Sequence, residues 1–377
     1  MNSSSTVSEK PARSGPLAGI RVIELGGIGP GPFAGMQLAD AGAEVIRIDR
    51  PTEAGNTSAY PVLHRGRRSV ALDLKDAAHV EAVLRIVETC DALIEGFRPG
   101  VAERLGLGPE TCLARNPRLV YGRMTGWGQD GPLAQAPGHD INYIAVAGAL
   151  GAMGAPGENP PVPLNLVGDM GGGGMLLAFG ITTGLLSALR TGRGQVVDAA
   201  MTDGTAVQLA LIHGLLGIGR WTDERGANLF DGGAPFYRSY QTSDGGYMAV
   251  GSFEPQFYAE LLRVLELDDD TLFGLQHASE RWPAMSAQLA GIFASRTRAE
   301  WEAAFDGVEA CVTPVYSLTE AAKDPHNVAR GTYFTRDGLL QPAPAPRYLG
   351  TPVGTPEPAP IIGAHTADII TELGITL

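Results

Sequence analysis

Two ionisable side chains stand where an irregular stretch gives way to an apolar, small-residue run. His139 lies in the segment 138–143, and Asp169 precedes Met170 and the four glycines at 171–174. The pattern predicts that a helix begins close to each of the two. A helix N-terminus favours a carboxylate and disfavours an imidazolium, so the carboxyl group would be ionised and the imidazole neutral enough to act as a base. An imidazole and a carboxylate facing each other suit the removal of a proton beside a carbonyl group.

A structural interpretation of the same residues stays open. The predicted helices cover residues 141–151 and 171–189, and Asp140 and Asp169 are natural N-caps for them. A capping aspartate is commoner than a catalytic one, and a lone histidine such as His139 more often makes only a structural hydrogen bond. These residues alone therefore indicate either acid/base catalysis or helix capping.

Strands and helices alternate around these segments. Apolar runs predict strands at 17–25, 43–48, 69–74, 92–94 and 119–122, and helices at 33–41 and 76–89. This alternation predicts an α/β fold with a large Rossmann-like domain, whose doubly wound sheet is mostly parallel. Ligands of such a sheet collect at the carboxyl ends of its strands.

A glycine-rich loop at 26–32 follows the first predicted strand. It is similar to a dinucleotide-binding loop, with Asp49 in the place of the acid that binds a ribose. The spacing fails, because the third glycine would fall on Pro32. A structural turn that lets a strand and a helix pack closely is therefore favoured over a nicotinamide site.

Several arginines follow the predicted strands. They are Arg50, Arg98 and the group Arg65, Arg67 and Arg68. Guanidinium groups match phosphate oxygens bidentately, so as a set they favour a phosphorylated ligand. For any single arginine, the alternative is a solvated surface charge.

The composition is that of a globular chain. A length of 377 residues with 44% hydrophobic residues is enough for a large core and suggests two domains. The formal charge of −13 argues against a nucleic-acid-binding surface. The apolar stretch 175–189 is shorter than the roughly 18 residues that a membrane span needs, so we expect a buried helix and no membrane partner.

Cysteine usage and the termini bear on the compartment. Cys90, Cys112 and Cys311 are scattered, which favours reduced thiols, and Cys311 is expected to be buried. Residues 1–15 are polar and predict a disordered tail rather than a secretory signal. The last residues lack a peroxisomal tripeptide, and clustered metal ligands are absent from the sequence. The expectation is a cytoplasmic protein without a metal.

The second half of the chain predicts a smaller α+β domain joined by long linkers. Residues 197–219 are helix-prone, with His213 expected to be buried, and 237–251 predict a β-hairpin. The predicted limits are 16–200 for the large domain with 330–377 returning to it, 201–236 for a helical linker, 237–305 for the small domain and 306–329 for a second linker.

A set of motifs carries a resemblance to a known family. They are residues 17–25, 47–51, 94–100, 123–129, 138–143, 168–169 and 194–198. Taken in order, they resemble the α-methylacyl-CoA racemases, which share the family III (formyl-CoA transferase-like) CoA-transferase fold. The resemblance covers about residues 16–350.

The resemblance implies an enzyme without a separate cofactor, which interconverts the (2R) and (2S) epimers of 2-methylacyl-CoA thioesters through an enolate. His139 and Asp169 would act from opposite faces of the α-carbon. Glu254 would reach the active site of a partner subunit in an interlocked homodimer and orient His139 there. The alternative for Glu254 is a first-turn carboxylate that complements a helix dipole.

The resemblance also implies that the CoA part of the substrate lies on the large domain. The expected contacts are Arg50, Asp73, Leu74, Lys75, Asp76, Arg98, Gly138, Ile141, Asn142 and Tyr143.

A CoA-transferase is the competing function within the same family. The transferases use an aspartate nucleophile that matches Asp140, and they need a carboxylate to accept the CoA. The racemases have a histidine immediately before that aspartate, and His139 is present. A third interpretation is an acyl-CoA-binding protein without catalysis.

Overall fold

The computed structural model of the protein describes residues 13–376. Most of the predicted tail, 1–15, lies outside the described residues. The chain divides into two compact units. The first unit contains residues up to 147 together with 163–208 and 331–377, and the second contains 148–162 and 209–330. The domain limits given above stay predictions.

The first unit is built on six strands. They are β1 (Arg21–Leu25), β2 (Glu44–Asp49), β3 (Arg67–Ala71), β4 (Ala92–Glu95), β5 (Val120–Thr125) and β6 (Gln195–Ala200). Their order in the sheet is β3-β2-β1-β4-β5-β6, and all neighbours run parallel. The predicted α/β fold with a parallel sheet is confirmed. The strand order reverses between β1 and β4, which is where ligands of such sheets bind.

Helices cover both faces of this sheet. They are α1 (Pro30–Asp40), α2 (Ala77–Val87), α3 (Val101–Arg104), α4 (Pro109–Arg115), α5 (Asp140–Val146), a π-helix (Leu166–Met175), α6 (Leu176–Thr191) and α7 (Met201–Gln208). Successive side chains of a strand point to opposite faces. Accordingly, Ile23 joins the core cluster that contains Ile86 of α2, and Val22 joins the one that contains Leu38 of α1 and Ile181 of α6.

Strand β6 corrects a sequence prediction. Residues from 197 onward were expected to be helix-prone, but Val197 pairs with Gly122 in β5, and the helix begins only at Met201. Half of β6 is exposed at the edge of the sheet, so its sequence lacks the continuous apolar run of a buried strand. Pairing with β5, far away in sequence, decides its conformation.

The second unit has its own sheet and core. Its helices and strands are α8 (Ala210–Gly217), β7 (Tyr237–Gln241), β8 (Tyr247–Gly251), α9 (Pro255–Val264), α10 (Trp282–Phe293), α11 (Arg298–Phe305), β9 (Val312–Pro314), α12 (Leu318–Ala321) and α13 (Pro325–Arg330). The predicted hairpin is confirmed as the antiparallel pair β7-β8, to which β9 adds. The core of this unit contains the buried aromatic side chains Phe236, Phe293 and Trp301.

Two predictions of burial in the second unit are wrong. His213 is exposed. It lies on α8, which has no buried residue, and Leu211 of the same helix is 62% exposed. Cys311 is also exposed and has a φ of 52°. Partial desolvation of the Cys311 thiol raises its pKa, and the negative charge of Glu254 adds to this.

The chain then returns to the first unit. An antiparallel pair is formed by β10 (Tyr333–Arg336) and β11 (Leu339–Pro342), and the last helix is α14 (Thr366–Glu372). Ile369 of α14 joins the core cluster of β1 and α2.

One continuous helical segment is long and apolar. Leu166–Thr191 spans 26 residues with a mean hydropathy of 1.5 in its most apolar window, enough by length and composition to cross a membrane. Half of that window is buried inside the protein. Core helices of soluble proteins meet the same criterion.

Candidate active site

His139 stands at the start of α5. It is the N-cap, with an extended backbone, and its N–H donates to the side-chain oxygen of Asn142 at 3.1 Å. The imidazole is exposed. The prediction that Asp140 caps the helix is wrong, since Asp140 is the first helical residue. The helix also ends before residue 151, at Val146, because Gly148 takes a left-handed φ of 92°.

The Asp140 carboxylate joins α5 to the segment that carries Asp169. Its Oδ2 accepts a hydrogen bond from the Asp169 N–H at 2.7 Å. Gly168 makes room for this contact, because a Cβ there would lie 2.7 Å from Asp140 Oδ2. The other oxygen, Oδ1, is buried and has no hydrogen-bond partner within residues 13–376. A buried oxygen without a partner costs stability, which is typical of a functional position.

Asp169 lies in the first turn of the π-helix and is therefore not the N-cap that the sequence predicted. The glycines at 171–174 have a weak preference for the α-helix, and π-helical turns often occur at functional sites. Asp169 is half-buried, and its Oδ2 accepts a hydrogen bond from the Asn165 amide at 3.2 Å.

The pKa of the Asp169 carboxyl is raised above its ordinary value. Burial is the largest cause; the Asn165 hydrogen bond lowers the pKa, the negative charge of Asp140 raises it, and the charge of His139 lowers it. The direction is opposite to the effect expected of a helix N-terminus. A carboxyl group with a raised pKa holds a proton more readily, which suits a group that must both take and return one.

The glycine-rich loop after β1 borders Asp169. Gly29 is the N-cap of α1, with a φ of 67°, and a Cβ there would lie 3.3 Å from Asp169 Oδ2. The positive φ favours glycine, and the close approach leaves little room for a side chain. Gly174 packs on the same helix start, since its Cβ would lie 2.8 Å from the carbonyl oxygen of Pro30. The site therefore lies at the switch point of the sheet.

Tyr143 forms a wall of the site. Its ring meets that of Trp127 edge to face at 4.8 Å, and its hydroxyl donates to the carbonyl of Gly138. Burial raises the pKa of the Tyr143 hydroxyl, the charge of Asp169 adds to this, and that of Arg98 opposes it. Segments after β4 and β5 thus meet α5 and the π-helix near Asp169.

The residues expected to bind the CoA nucleotide follow two neighbouring strands. Arg50 comes directly after β2, and its side chain is 84% exposed, 4.0 Å from the nearest carboxylate, that of Glu53. Asp73, Leu74 and Lys75 follow β3, and Asp76 caps α2 by accepting N–H bonds from Ala78 and His79. Because β2 and β3 are adjacent, these residues lie at one edge of the sheet. The structure brings them together on the outer strands.

The arginine group of residues 65–68 does not hold a ligand, and that prediction is wrong. Arg65 pairs with Asp40 at 2.5 Å, Arg67 with Glu24 at 3.0 Å, and Arg68 with Glu44 and Glu372 at 2.7 and 2.8 Å. All three guanidinium groups are buried. Each of them is paired with a carboxylate of this chain.

Glu254 belongs to the second unit. It is the N-cap of α9, and its exposed carboxylate makes no capping hydrogen bond there. Its expected action on His139 of a partner subunit stays a prediction.

Sequence reasoning missed two neighbours of Asp169. Asn165 lies four residues before it, a spacing that places two side chains together on a helix and could have identified it. Gly29 was assigned only to a structural turn. Its contact with Asp169 joins segments 140 residues apart, which no local pattern reveals.

Acidic, histidine and cysteine side chains could also hold a metal. Among the residues that the structure describes, no group of three or more of them is placed to do so.

Comparison with known proteins agrees with this fold. Residues 17–366 match the model of CoA-transferase family III, and the chain belongs to that family. It is 47% identical to the alpha-methylacyl-CoA racemase of Mus musculus over 96% of this chain and 94% of that protein. It is 45% identical to the Homo sapiens protein of the same name, with the same coverage. A CAIB/BAIF family protein from Brucella suis superposes with a TM-score of 0.82 at 26% identity, covering 96% of this chain and all of that one.

Proposed function

We propose that the protein is an α-methylacyl-CoA racemase, which interconverts the (2R) and (2S) epimers of 2-methylacyl-CoA thioesters. One base removes the α-proton, and the electron pair moves into the thioester carbonyl to give an enolate. The second group delivers a proton to the opposite face, which inverts the carbon. His139 and Asp169 are the two groups, and which one acts first depends on the epimer.

The observation that carries this proposal is the hydrogen bond between Asp140 Oδ2 and the Asp169 N–H. It fastens the segment of Asp169 directly beside His139, which is adjacent to Asp140 in the chain. The charge of His139 acts on the Asp169 carboxyl, so the two groups lie within electrostatic reach of each other. A basic imidazole and a carboxyl with a raised pKa are a suitable pair for two-way proton transfer.

The same bond argues against the transferase alternative. A nucleophilic carboxylate must present an oxygen to the thioester carbon. Asp140 is 6% exposed, its Oδ2 is occupied, and its Oδ1 is buried. We therefore assign Asp140 a positioning role toward Asp169.

CoA is the carrier part of the substrate, and no further cofactor is proposed. Its nucleotide would lie at the ends of β2 and β3, near Arg50 and residues 73–76, where an exposed guanidinium can pair with phosphate. Its thioester would lie near Gly138, Ile141, Asn142 and Tyr143. Arg98 follows β4 and acts electrostatically on Tyr143. In the sheet order, β4 lies between β2 and β3, which precede the nucleotide contacts, and β5, which precedes the thioester contacts.

We further propose an interlocked homodimer in a cytoplasmic, reducing compartment. Helix α6 leaves large apolar side chains exposed, including Phe179 at 66%, Leu186 at 58% and Leu189 at 64%. Exposed apolar patches of this kind mark interaction surfaces, and a second copy of the chain would cover this one. In such a dimer, Glu254 would orient His139 of the partner. Sedimentation at micromolar concentration is expected to give the dimer mass, and a monomer would contradict the arrangement.

The test of the function is incubation of pure (2S)-2-methylacyl-CoA with the protein in D2O, without an acceptor acid. A racemase is expected to incorporate deuterium at the α-carbon while the epimer ratio drifts toward a mixture. Absence of exchange, followed by CoA transfer once a carboxylate is added, would contradict the proposal and move the chemistry to Asp140.

A further inference from the structure

Four buried charged side chains lie beneath the glycine-rich loop. Glu24 of β1 is fully buried and accepts hydrogen bonds from Arg47 of β2 and from Arg67 of β3, the latter through Nε at 3.2 Å and Nη2 at 3.0 Å. Arg47 also donates to Asp49 at 2.8 Å. Gly35 of α1 must lack a side chain here, because a Cβ would lie 2.4 Å from Glu24 Oε2. Protein interiors rarely contain such a cluster unless each charge is paired.

Each of the two arginines also donates to a backbone carbonyl in the loop or in the helix turn that follows it. Nη2 of Arg47 donates to the carbonyl of Gly27 at 3.2 Å, and Nη2 of Arg67 donates to the carbonyl of Pro32. These two carbonyls flank Gly29 on either side. The loop between β1 and α1 is thus held at Gly27 by Arg47 of β2, and the first turn of α1 that follows it is held at Pro32 by Arg67 of β3.

Gly29 is the part of the loop that meets the reacting carboxyl. A Cβ built on it would lie 3.3 Å from Asp169 Oδ2, and its φ of 67° and ψ of −119° depend on how the loop is held. The other groups that act on the Asp169 carboxyl are Asn165, Asp140 and His139, from the π-helix and α5. On the side of α1, Gly29 of the loop lies against this carboxyl.

We infer that Arg47 and Arg67, paired through Glu24, are positioning residues for the reaction, because they hold the loop of Gly29 against the Asp169 carboxyl. The inference rests on the proposed function. Both arginines are buried, so the role is an indirect one.

Arginine suits this role for a geometric reason. A guanidinium presents several N–H donors in a fixed plane, so Arg47 binds Glu24, Asp49 and the Gly27 carbonyl at the same time. A lysine keeps the positive charge beside the two carboxylates but lacks the rigid fork. Arg47→Lys is therefore expected to release the loop while keeping the charge balance.

The experiment measures α-proton exchange in D2O for each epimer in two backgrounds. In His139→Ala, only Asp169 remains as a base, and in Asp169→Asn, only His139 remains. Arg47→Lys is expected to lower the residual exchange in the His139→Ala background by roughly 10- to 100-fold, the cost of misplacing a catalytic group. In the Asp169→Asn background, it is expected to leave the residual exchange within about 2-fold, as for independent sites.

Arg68→Lys is the matched control. Arg68 is buried on the same strand as Arg67 and pairs with Glu44 and Glu372, away from the loop. Arg68→Lys is expected to leave α-proton exchange unchanged in both backgrounds. Thermal unfolding of each variant, followed by circular dichroism, checks that the protein folds.

Gly29→Ala tests the same inference without touching the charges, should Arg47→Lys fail to fold. A methyl group at a φ of 67°, 3.3 Å from Asp169 Oδ2, is expected to lower exchange in the His139→Ala background alone. Equal losses in both backgrounds would overturn the inference and leave the proposed function intact. If the two single variants do not retain one-sided exchange, the proposed function fails and the inference fails with it.

Discussion

Charged side chains concentrate in two neighbouring regions of the first unit, and the regions differ in the partners of their carboxylates. In the region of β1 to β3, Arg65 and Arg67 each bind a buried carboxylate. Around the π-helix, Asp140 and Asp169 accept hydrogen bonds from a backbone N–H and a side-chain amide, and within the described residues neither is in an ion pair and one buried oxygen of Asp140 has no partner. Paired charges hold a structure in place, whereas an incompletely satisfied carboxyl remains able to exchange a proton.

The largest effect is expected on the free energy of unfolding, after loss of a buried ion pair. Arg65→Ala leaves Asp40 buried without its bidentate partner, so the free energy of unfolding is expected to fall by about 3–5 kcal/mol. Arg50→Ala is the matched control, because Arg50 is 84% exposed. It is expected to change stability by less than about 0.5 kcal/mol and to raise KM for the CoA thioester. Urea unfolding measures both. Equal stability of the two variants would contradict a structural role for the Arg65–Asp40 pair.

A smaller effect is expected at Asp140. Asp140→Asn keeps an oxygen that can accept the Asp169 N–H, so racemisation is expected to fall by less than about 10-fold, the worth of one hydrogen bond. Asp140→Ala removes the acceptor and is expected to lower the rate further. Racemisation rates of the two variants separate positioning from nucleophilic attack, because a nucleophile would be lost equally in both.

The smallest effect concerns the pH profile. The Asn165 hydrogen bond stabilises the ionised form of Asp169 and lowers its pKa, so Asn165→Ala is expected to raise that pKa further. Where Asp169 acts as the base, activity is lost as the pH falls through this pKa, so the acid limb of kcat/KM should move to higher pH. Asn327→Ala, whose amide donates to the Ala321 carbonyl in the second unit, is expected to leave the limb in place. A shift to lower pH would contradict the assignment.

The sequence predicts the sheet well and the pairing of charges poorly. Alternating strands and helices are local patterns, so they identify β1 to β5 and the edge where the site lies. The partners of a buried arginine are not local: Arg65 binds Asp40, 25 residues away, and Arg68 binds Glu372, 304 residues away. A basic run therefore resembles a phosphate-binding surface until the fold shows its partners.

The site residues show the same limit. His139 at a helix start follows from the sequence around it, because capping is a local property. The π-helical turn around Asp169 depends on packing against α1 and α7, where Gly172 and Gly174 allow close contact. Its raised pKa depends on burial, which no spacing in the sequence encodes.

The measurement that tests the account most directly is epimer-resolved exchange in D2O with two variants, His139→Ala and Asp169→Asn. Each variant is expected to lose exchange from one epimer by about 100-fold or more, the cost of removing a positioned acid or base, and to retain it from the other. The retained epimer should be opposite in the two variants. Wild-type exchange from both epimers, or loss of the same epimer in both variants, would contradict a reaction carried by these two groups from opposite faces.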